Sequence, residues 1–226
     1  MSFEGRTVMV TGAAGNLGRA VANTFSGLGA NLVLLDLKGR GDEKGLFIPA
    51  DLLDQKSVDA AVTKAIERFG RIDVLCNIAG GFRMGTPVHE TSDADWNFLF
   101  DVNVRTVLHT ARAVVPRMLA AGGGRIVNVG AFAAQKGAAQ MAAYTASKSA
   151  VIRLTEAMAA ELRDKQINVN CVLPTIIDTP ENRAAMPKAD PRRWVAPQDL
   201  ASTVAFLASD DARAIHGAAL PVAGLS

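Results

Sequence analysis

The sequence predicts an α/β fold: a single domain built on a doubly wound parallel sheet of about seven strands, with helices on both faces. Three observations carry this. Short apolar runs alternate with segments of helical periodicity along the whole chain. The first run leads into a glycine-rich turn that opens a helix. The 226 residues, 49% of them hydrophobic, suffice for one such core and contain no internal repeat or interdomain linker. Strands covered on both faces read as unbroken apolar stretches rather than as alternation, and these runs have that character.

Taken in order, the first strand is expected over residues 7–10 and the first helix over 15–28. Strands follow at 31–35 and 46–48. A helix over 57–69 places Val58, Ala61, Val62, Ala65, Ile66 and Phe69 at helical spacing. A fourth strand at 74–76 precedes a long helix over 93–119. A fifth strand at 125–129 precedes a second long helix over 142–164. The sixth strand is expected at 169–173, a further helix at Pro197–Ala208 and the last strand at Ala219–Val222. Residues 175–195 break the alternation: they are polar, carry Pro180, Pro187 and Pro191, and show no clear period. They leave the carboxyl end of a strand, where open parallel sheets bind ligands, so they are expected to form a substrate lid. An ordinary surface excursion is the alternative.

Composition excludes several classes of function. The 24 basic and 22 acidic side chains are interspersed and leave a net charge of +2, with no basic block for nucleic acid. No apolar run approaches the roughly 18 residues of a membrane helix. The amino terminus runs into a strand without signal-peptide character, so a soluble, cytoplasmic protein is expected. Cys76 and Cys171 sit in apolar runs as small core residues. His89, His109 and His216 are scattered, so no metal is expected.

The segment Thr11-Gly-Ala-Ala-Gly-Asn-Leu-Gly18 suits a dinucleotide. Glycine lets the backbone approach a pyrophosphate, and the helix amino terminus supplies unpaired amides and a positive dipole. Asp36 ends the second strand, where a carboxylate can accept bonds from the ribose hydroxyls and repel a 2′-phosphate. Residues 13–18 hold no Lys or Arg and Leu37 follows the acid, which favours NAD over NADP; Lys38 and Arg40 nearby weigh the other way. Tyr144 and Lys148 stand four apart, on one face of a helix. An ammonium beside a phenol favours the phenolate and should lower its pKa, making a proton donor or acceptor usable near neutral pH. Asn103, a polar residue inside the first long helix, needs partners for its amide. Phe82, Arg83 and Met84 follow the fourth strand and are candidates for the substrate pocket; an inward Arg83 would favour an anionic substrate.

Together these residues resemble the short-chain dehydrogenase/reductase family over essentially the whole chain, which implies a Rossmann fold and NAD-dependent hydride transfer. The resemblance implies that Gly12, Gly15, Asn16, Leu17 and Gly18 form the cofactor turn, with Asn16 at the family's middle glycine and tolerating a positive φ there. It implies that Asp51 and Leu52 contact the adenine, and that Asn77, Ala79 and Gly80 stand in for the family's NNAG, with Ile78 as a departure. Tyr144 and Lys148 match its YxxxK pair, and Asn103 its relay asparagine. Pro174, Ile177 and Thr179 fit the segment around the nicotinamide carboxamide. The family's catalytic serine is Ala131 here, and loss of one such donor costs about 10²–10³ in rate. Gln135, Gln140 or a substrate-bound water could substitute.

The dihydropteridine-reductase branch of the family also carries alanine there, and the stretch from Leu173 to Trp194 is similar to its substrate loop. Elsewhere the chain looks more like reductases of 3-oxoacyl thioesters and small alcohols. A catalytically weak dinucleotide-binding sensor or scaffold is the rival of another class. The two long helices imply a homodimer or homotetramer, although the tail lacks the family's Asp-Gly-Gly ending.

Overall fold

The computed structural model describes residues 1–39, 41 and 44–226. Arg40, one of the two basic residues weighed against NAD, lies outside the described residues. The order of elements is β1 (Thr7–Thr11), α1 (Asn16–Gly27), β2 (Asn31–Asp36), β3 (Leu46–Pro49), α2 (Gln55–Phe69) and β4 (Val74–Asn77). Then come α3 (Asp93–Phe100), α4 (Thr106–Ala120), β5 (Gly124–Val129), α5 (Ala142–Leu162) and β6 (Ile167–Pro174). The chain closes with α6 (Pro180–Ala185), α7 (Pro197–Ala208) and β7 (Ala219–Val222). The strands form one seven-stranded sheet in the order β3-β2-β1-β4-β5-β6-β7. Every pairing is parallel.

Neighbouring residues of a strand point to opposite faces, and the two cores show it. Val8 and Val10 of β1 pack in one core with Val21, Phe25, Leu200 and Val204 of α1 and α7. Met9 between them packs in the other with Val58, Val62, Val114 and Met118 of α2 and α4. Because both faces are covered, most strand positions are apolar, which makes the runs legible; Asn77, Asn128, Asn168 and Asn170 are buried polar exceptions.

Two expectations about elements need correction, and a third segment gains detail. The long helix over 93–119 is not regular: Asp101–Arg105 form a π turn between α3 and α4. The second long helix ends at Leu162 and tightens into a 3₁₀ turn over Arg163–Lys165. Residues 175–195, which show no clear period in the sequence, contain a short α-helix. Thr179 caps the short helix α6, accepting from Asn182 N at 3.2 Å. The base of the segment is pinned where Asp178 N donates to Val195 O (2.8 Å) and Val195 N to Ile176 O (2.9 Å). No described helix is long and apolar enough to cross a membrane.

Candidate active site

The order of strands reverses between β1 and β4, and a crevice forms there beyond the carboxyl ends. It is a cavity of about 1100 Å³. Every residue expected to contact a dinucleotide lines it, from Gly12 to Thr179, except Asn77. Asn77 instead lies under its floor in a buried polar chain. Its Nδ2 donates to Asn128 Oδ1 (2.8 Å), its Oδ1 accepts from Thr110 Oγ1 (2.8 Å), and Asn128 Nδ2 donates to Thr155 Oγ1 (2.8 Å). A separate depression of about 410 Å³ beside β3 and α2, lined by Lys64, Glu67 and Arg68 among others, gathers no catalytic set.

The glycine turn has the shape that a pyrophosphate needs. Gly12 adopts φ +63°, and a Cβ there would stand 2.8 Å from Ala79 Cα. A Cβ on Gly18 would stand 2.0 Å from Gly12 O. No side chain caps α1 at Gly15, so its first amides are left for a ligand. Asn16 begins α1 and has no positive φ; its tolerance of that conformation is not used. Its Nδ2 donates instead to Glu181 Oε2 at 2.8 Å, joining the turn to α6. Asp36 Oδ2 accepts from Ala14 N at 2.9 Å and Oδ1 from Leu37 N at 2.8 Å, which holds the carboxylate at the end of β2. Asp51 Oδ1 accepts from Leu53 N at 2.9 Å. These residues fit an adenine dinucleotide with free ribose hydroxyls.

The same cavity holds the tyrosine–lysine pair. Tyr144 and Lys148 both line it from α5. Lys148 is buried, and its Nζ donates to Val129 O at 2.8 Å. Burial brings its pKa down to about 8, partly opposed by Cys171. Burial also pushes the Tyr144 phenol up to about 12, the opposite of the direction expected from a neighbouring ammonium. The reason is geometric: the ammonium is turned to the Val129 carbonyl, and no hydrogen bond joins it to the phenol. The Phe82 ring meets Tyr144 edge-on, with centroids 4.9 Å apart at 86°.

The π turn aims Asn103 inward. Its Oδ1 accepts from Gly81 N (2.9 Å), while Nδ2 donates to Gly81 O (3.0 Å) and to Ser147 Oγ (3.1 Å). Ser147 Oγ in turn donates to Tyr144 O at 2.8 Å. Asn103 therefore ties the loop after β4 to α5 without lining the cavity. Gly80 fits between the functional groups: a Cβ there would stand 2.9 Å from Asn103 Oδ1 and 3.1 Å from Lys148 Nζ. Sequence reasoning missed Ser147, whose only sign was its place inside the Tyr144–Lys148 turn.

Ala131 lines the cavity but is otherwise buried beside Ile152, Cys171 and Leu173. Gln135 and Gln140 are exposed and are not among the lining residues, so neither takes the place of a serine. Arg83 does not line the cavity either. It pairs with Asp95 and lies over the Phe98 ring, 4.2 Å from its centroid, which removes the expectation of an anionic substrate held by Arg83.

A family model described as enoyl-(acyl carrier protein) reductase matches residues 12–224. The chain belongs to the short-chain dehydrogenase/reductase family. A D-threitol dehydrogenase of Mycolicibacterium smegmatis is 34% identical over 242 residues, spanning 98% of this chain and 93% of that protein. A carveol dehydrogenase from Mycobacterium avium, solved in complex with NAD, superposes with a TM-score of 0.88 at 28% identity, covering 97% of this chain and 96% of that one. An NAD⁺-bound xylitol dehydrogenase superposes with a TM-score of 0.90 at 30% identity, covering 99% and 100%.

The depressed lysine pKa predicts a pH effect on stability. Lys148 is about 8 when folded against an ordinary 10.5, so between those values the unfolded chain binds more protons. Stability from this group therefore rises with pH across that window, and its cost of about 3 kcal/mol is full below pH 8. The raised thiols of Cys76 and Cys171 pull the other way above pH 9. The comparison is thus between wild type and Lys148→Met. In urea unfolding, the advantage of the variant below pH 8 is expected to shrink as pH rises toward 10.5.

Proposed function

We propose that the protein is an NAD(H)-dependent oxidoreductase that reduces a small carbonyl compound, or oxidises the corresponding alcohol, with Tyr144 as proton donor or acceptor. The observation that carries this is one cavity lined both by the glycine turn and Asp36 and by Tyr144 and Lys148. The bound cofactor supplies the hydride. The protein supplies the rest. Amides at the start of α1 hold the pyrophosphate, and Asp36 accepts from the ribose of the adenosine half. Asp51 and Leu52 border the adenine, while Ala79 and Gly80 back the cofactor from the end of β4. Pro174, Ile177 and Thr179 hold the nicotinamide end. The Ile177 carbonyl is taken by Asn182 Nδ2 at 2.8 Å, which leaves the Ile177 N–H for the carboxamide.

A phenol held near 12 is protonated at neutral pH and is in the right state to donate to a developing alkoxide. Lys148, anchored by its bond to Val129 O, keeps further donors for the ribose hydroxyls. Asn103 supports it by position, keeping the Gly80 and Gly81 backbone beside the ammonium. Asn77 supports the same floor from below.

The relatives named above act on polyols and on carveol, which agrees with an alcohol–carbonyl reaction. The likeness of the lid to dihydropteridine reductases adds a quinonoid acceptor to the candidates, and 3-oxoacyl thioesters remain another. Ala131 favours a second reading, a cofactor-binding protein with little turnover. A homodimer or homotetramer in the cytoplasm completes the proposal.

The test is titration of NADH and NADPH by cofactor fluorescence, followed by oxidation of NADH with a panel of carbonyl acceptors. Wild type is expected to prefer NADH, and Asp36→Ala to reduce that preference by about tenfold, the effect of one lost charge-assisted contact. NADH binding without turnover of any acceptor would favour the second reading, and equal affinity for both cofactors in wild type would remove the role of Asp36.

A further inference from the structure

We infer that the substrate is a neutral, compact, largely apolar ketone of ring size, or its secondary alcohol, offering a single oxygen to Tyr144. This rests on the hydride-transfer reading and deepens it. Beyond the residues assigned to the cofactor, the cavity that Tyr144 lines is also bordered by Phe82, Met84, Phe132, Met141, Ala185 and Met186, none of which carries a charge, and Phe82 meets the Tyr144 ring. The three charged side chains of the lining are accounted for elsewhere. Asp36 and Asp51 bond to backbone at the adenosine end, and Lys148 donates to Val129 O.

The polar side chains near the lid are also committed. Asn182 Nδ2 donates to Ile177 O (2.8 Å) and Thr175 Oγ1 to Ala223 O (2.9 Å). Thr179 Oγ1 accepts from Asn182 N, and Thr106 Oγ1 donates to Val102 O (2.9 Å). Arg83, on the segment after β4 beside Phe82 and Met84, is paired with Asp95. The Tyr144 hydroxyl is the polar group of this wall with no hydrogen-bond partner among the described residues.

A substrate with several hydroxyls, a carboxylate or a nucleotide tail would leave water and find no partner for those groups. An apolar ring loses nothing of the kind. The edge-on Phe82 narrows the approach to Tyr144, and the methionines adapt to different ring substituents. One cavity must hold cofactor and substrate together, which keeps the substrate small. In the reaction, the carbonyl carbon accepts hydride and its oxygen accepts the Tyr144 proton. The C=O π bond gives way to new C–H and O–H bonds as NADH is oxidised to NAD⁺.

The experiment uses the full chain with NADH and compares initial rates for a methyl-substituted cyclohexanone, a ketopentose, a 3-oxoacyl-CoA and a quinonoid dihydropterin. NADH binding is measured separately by fluorescence. The cyclohexanone is expected to exceed each polar acceptor by about 100-fold in kcat/KM, the discrimination an unpartnered hydroxyl brings. Met186→Ala is expected to raise KM for the ring about tenfold with NADH affinity unchanged. Equal or better turnover of any polar acceptor overturns the inference. So does NADH binding with no turnover of the ring, which leaves the cofactor assignment standing. Failure to bind NADH overturns the hydride-transfer reading itself.

Discussion

Tyr144→Phe should lower kcat by about 10²–10⁴-fold, the contribution of a positioned general acid, while leaving NADH affinity within a few-fold of wild type. The two readouts separate chemistry from binding, because the phenolic oxygen is needed only where the carbonyl is protonated. The structure makes this a clean substitution. Tyr144 Oη has no hydrogen-bond partner among the described residues, so its removal orphans no donor or acceptor. The edge contact of Phe82 is with the ring, which phenylalanine retains. Melting temperature should therefore be unchanged. Stopped-flow or steady-state oxidation of NADH, beside a fluorescence titration and a thermal melt, checks all three. Retained turnover would mean that another group delivers the proton. A fall in stability would mean that the hydroxyl has a structural role instead.

Gly18→Ala should have the largest effect on the cofactor end. The added Cβ would meet Gly12 O at 2.0 Å, and Ala13 Cα and the Gly12 carbonyl carbon at 2.8 Å. All three are backbone atoms, so no side chain can swing aside; either the turn opens or α1 shifts. Overpacking of this kind costs about 3 kcal/mol of stability. Because the displaced atoms are those that cradle the pyrophosphate, NADH affinity should fall by roughly 100-fold, equivalent to about 2.7 kcal/mol. Gly27→Ala in the same helix is the matched control, since a Cβ there meets nothing within 4 Å. It should be neutral or stabilise by about 0.5–1 kcal/mol through the unfolded state. Isothermal titration with NADH and urea unfolding of both variants decide the matter. A Gly18→Ala protein that binds NADH normally would show that the turn is not held as tightly as these contacts imply.

The contrast between these two sites also explains what could be read in advance. The sheet was legible because burial on both faces leaves its strands mostly apolar, and the glycine turn because only glycine survives contacts as close as those at Gly12 and Gly18. The π turn at Asn103 left no such mark: one extra residue in a helix changes which way a side chain points without changing composition. The short helix α6 was hidden for a different reason. Its cap, Thr179, and its first residue, Pro180, resemble ordinary loop chemistry until Asn182 closes the hydrogen bond. Spacing put Tyr144 and Lys148 on one face, yet could not say that the ammonium would turn toward Val129. The same limit applied to Arg83, whose ion pair with Asp95 lies twelve residues further along the chain and becomes visible only when α3 is in place.

The walls near Tyr144 come from connecting segments: the stretch after β4, the turn after β5, the approach to α5 and the lid helix. None of those side chains belongs to a strand, whereas most of the contacts proposed for the cofactor hang from strand ends and the start of α1, with Lys148 on α5 and Ile177 and Thr179 on the lid segment as exceptions. Substitution, lengthening or trimming of these borders can therefore redirect the enzyme toward a new reactant while the framework and its redox partner stay as they are. In such a molecule, changes of appetite and changes of architecture are inherited separately.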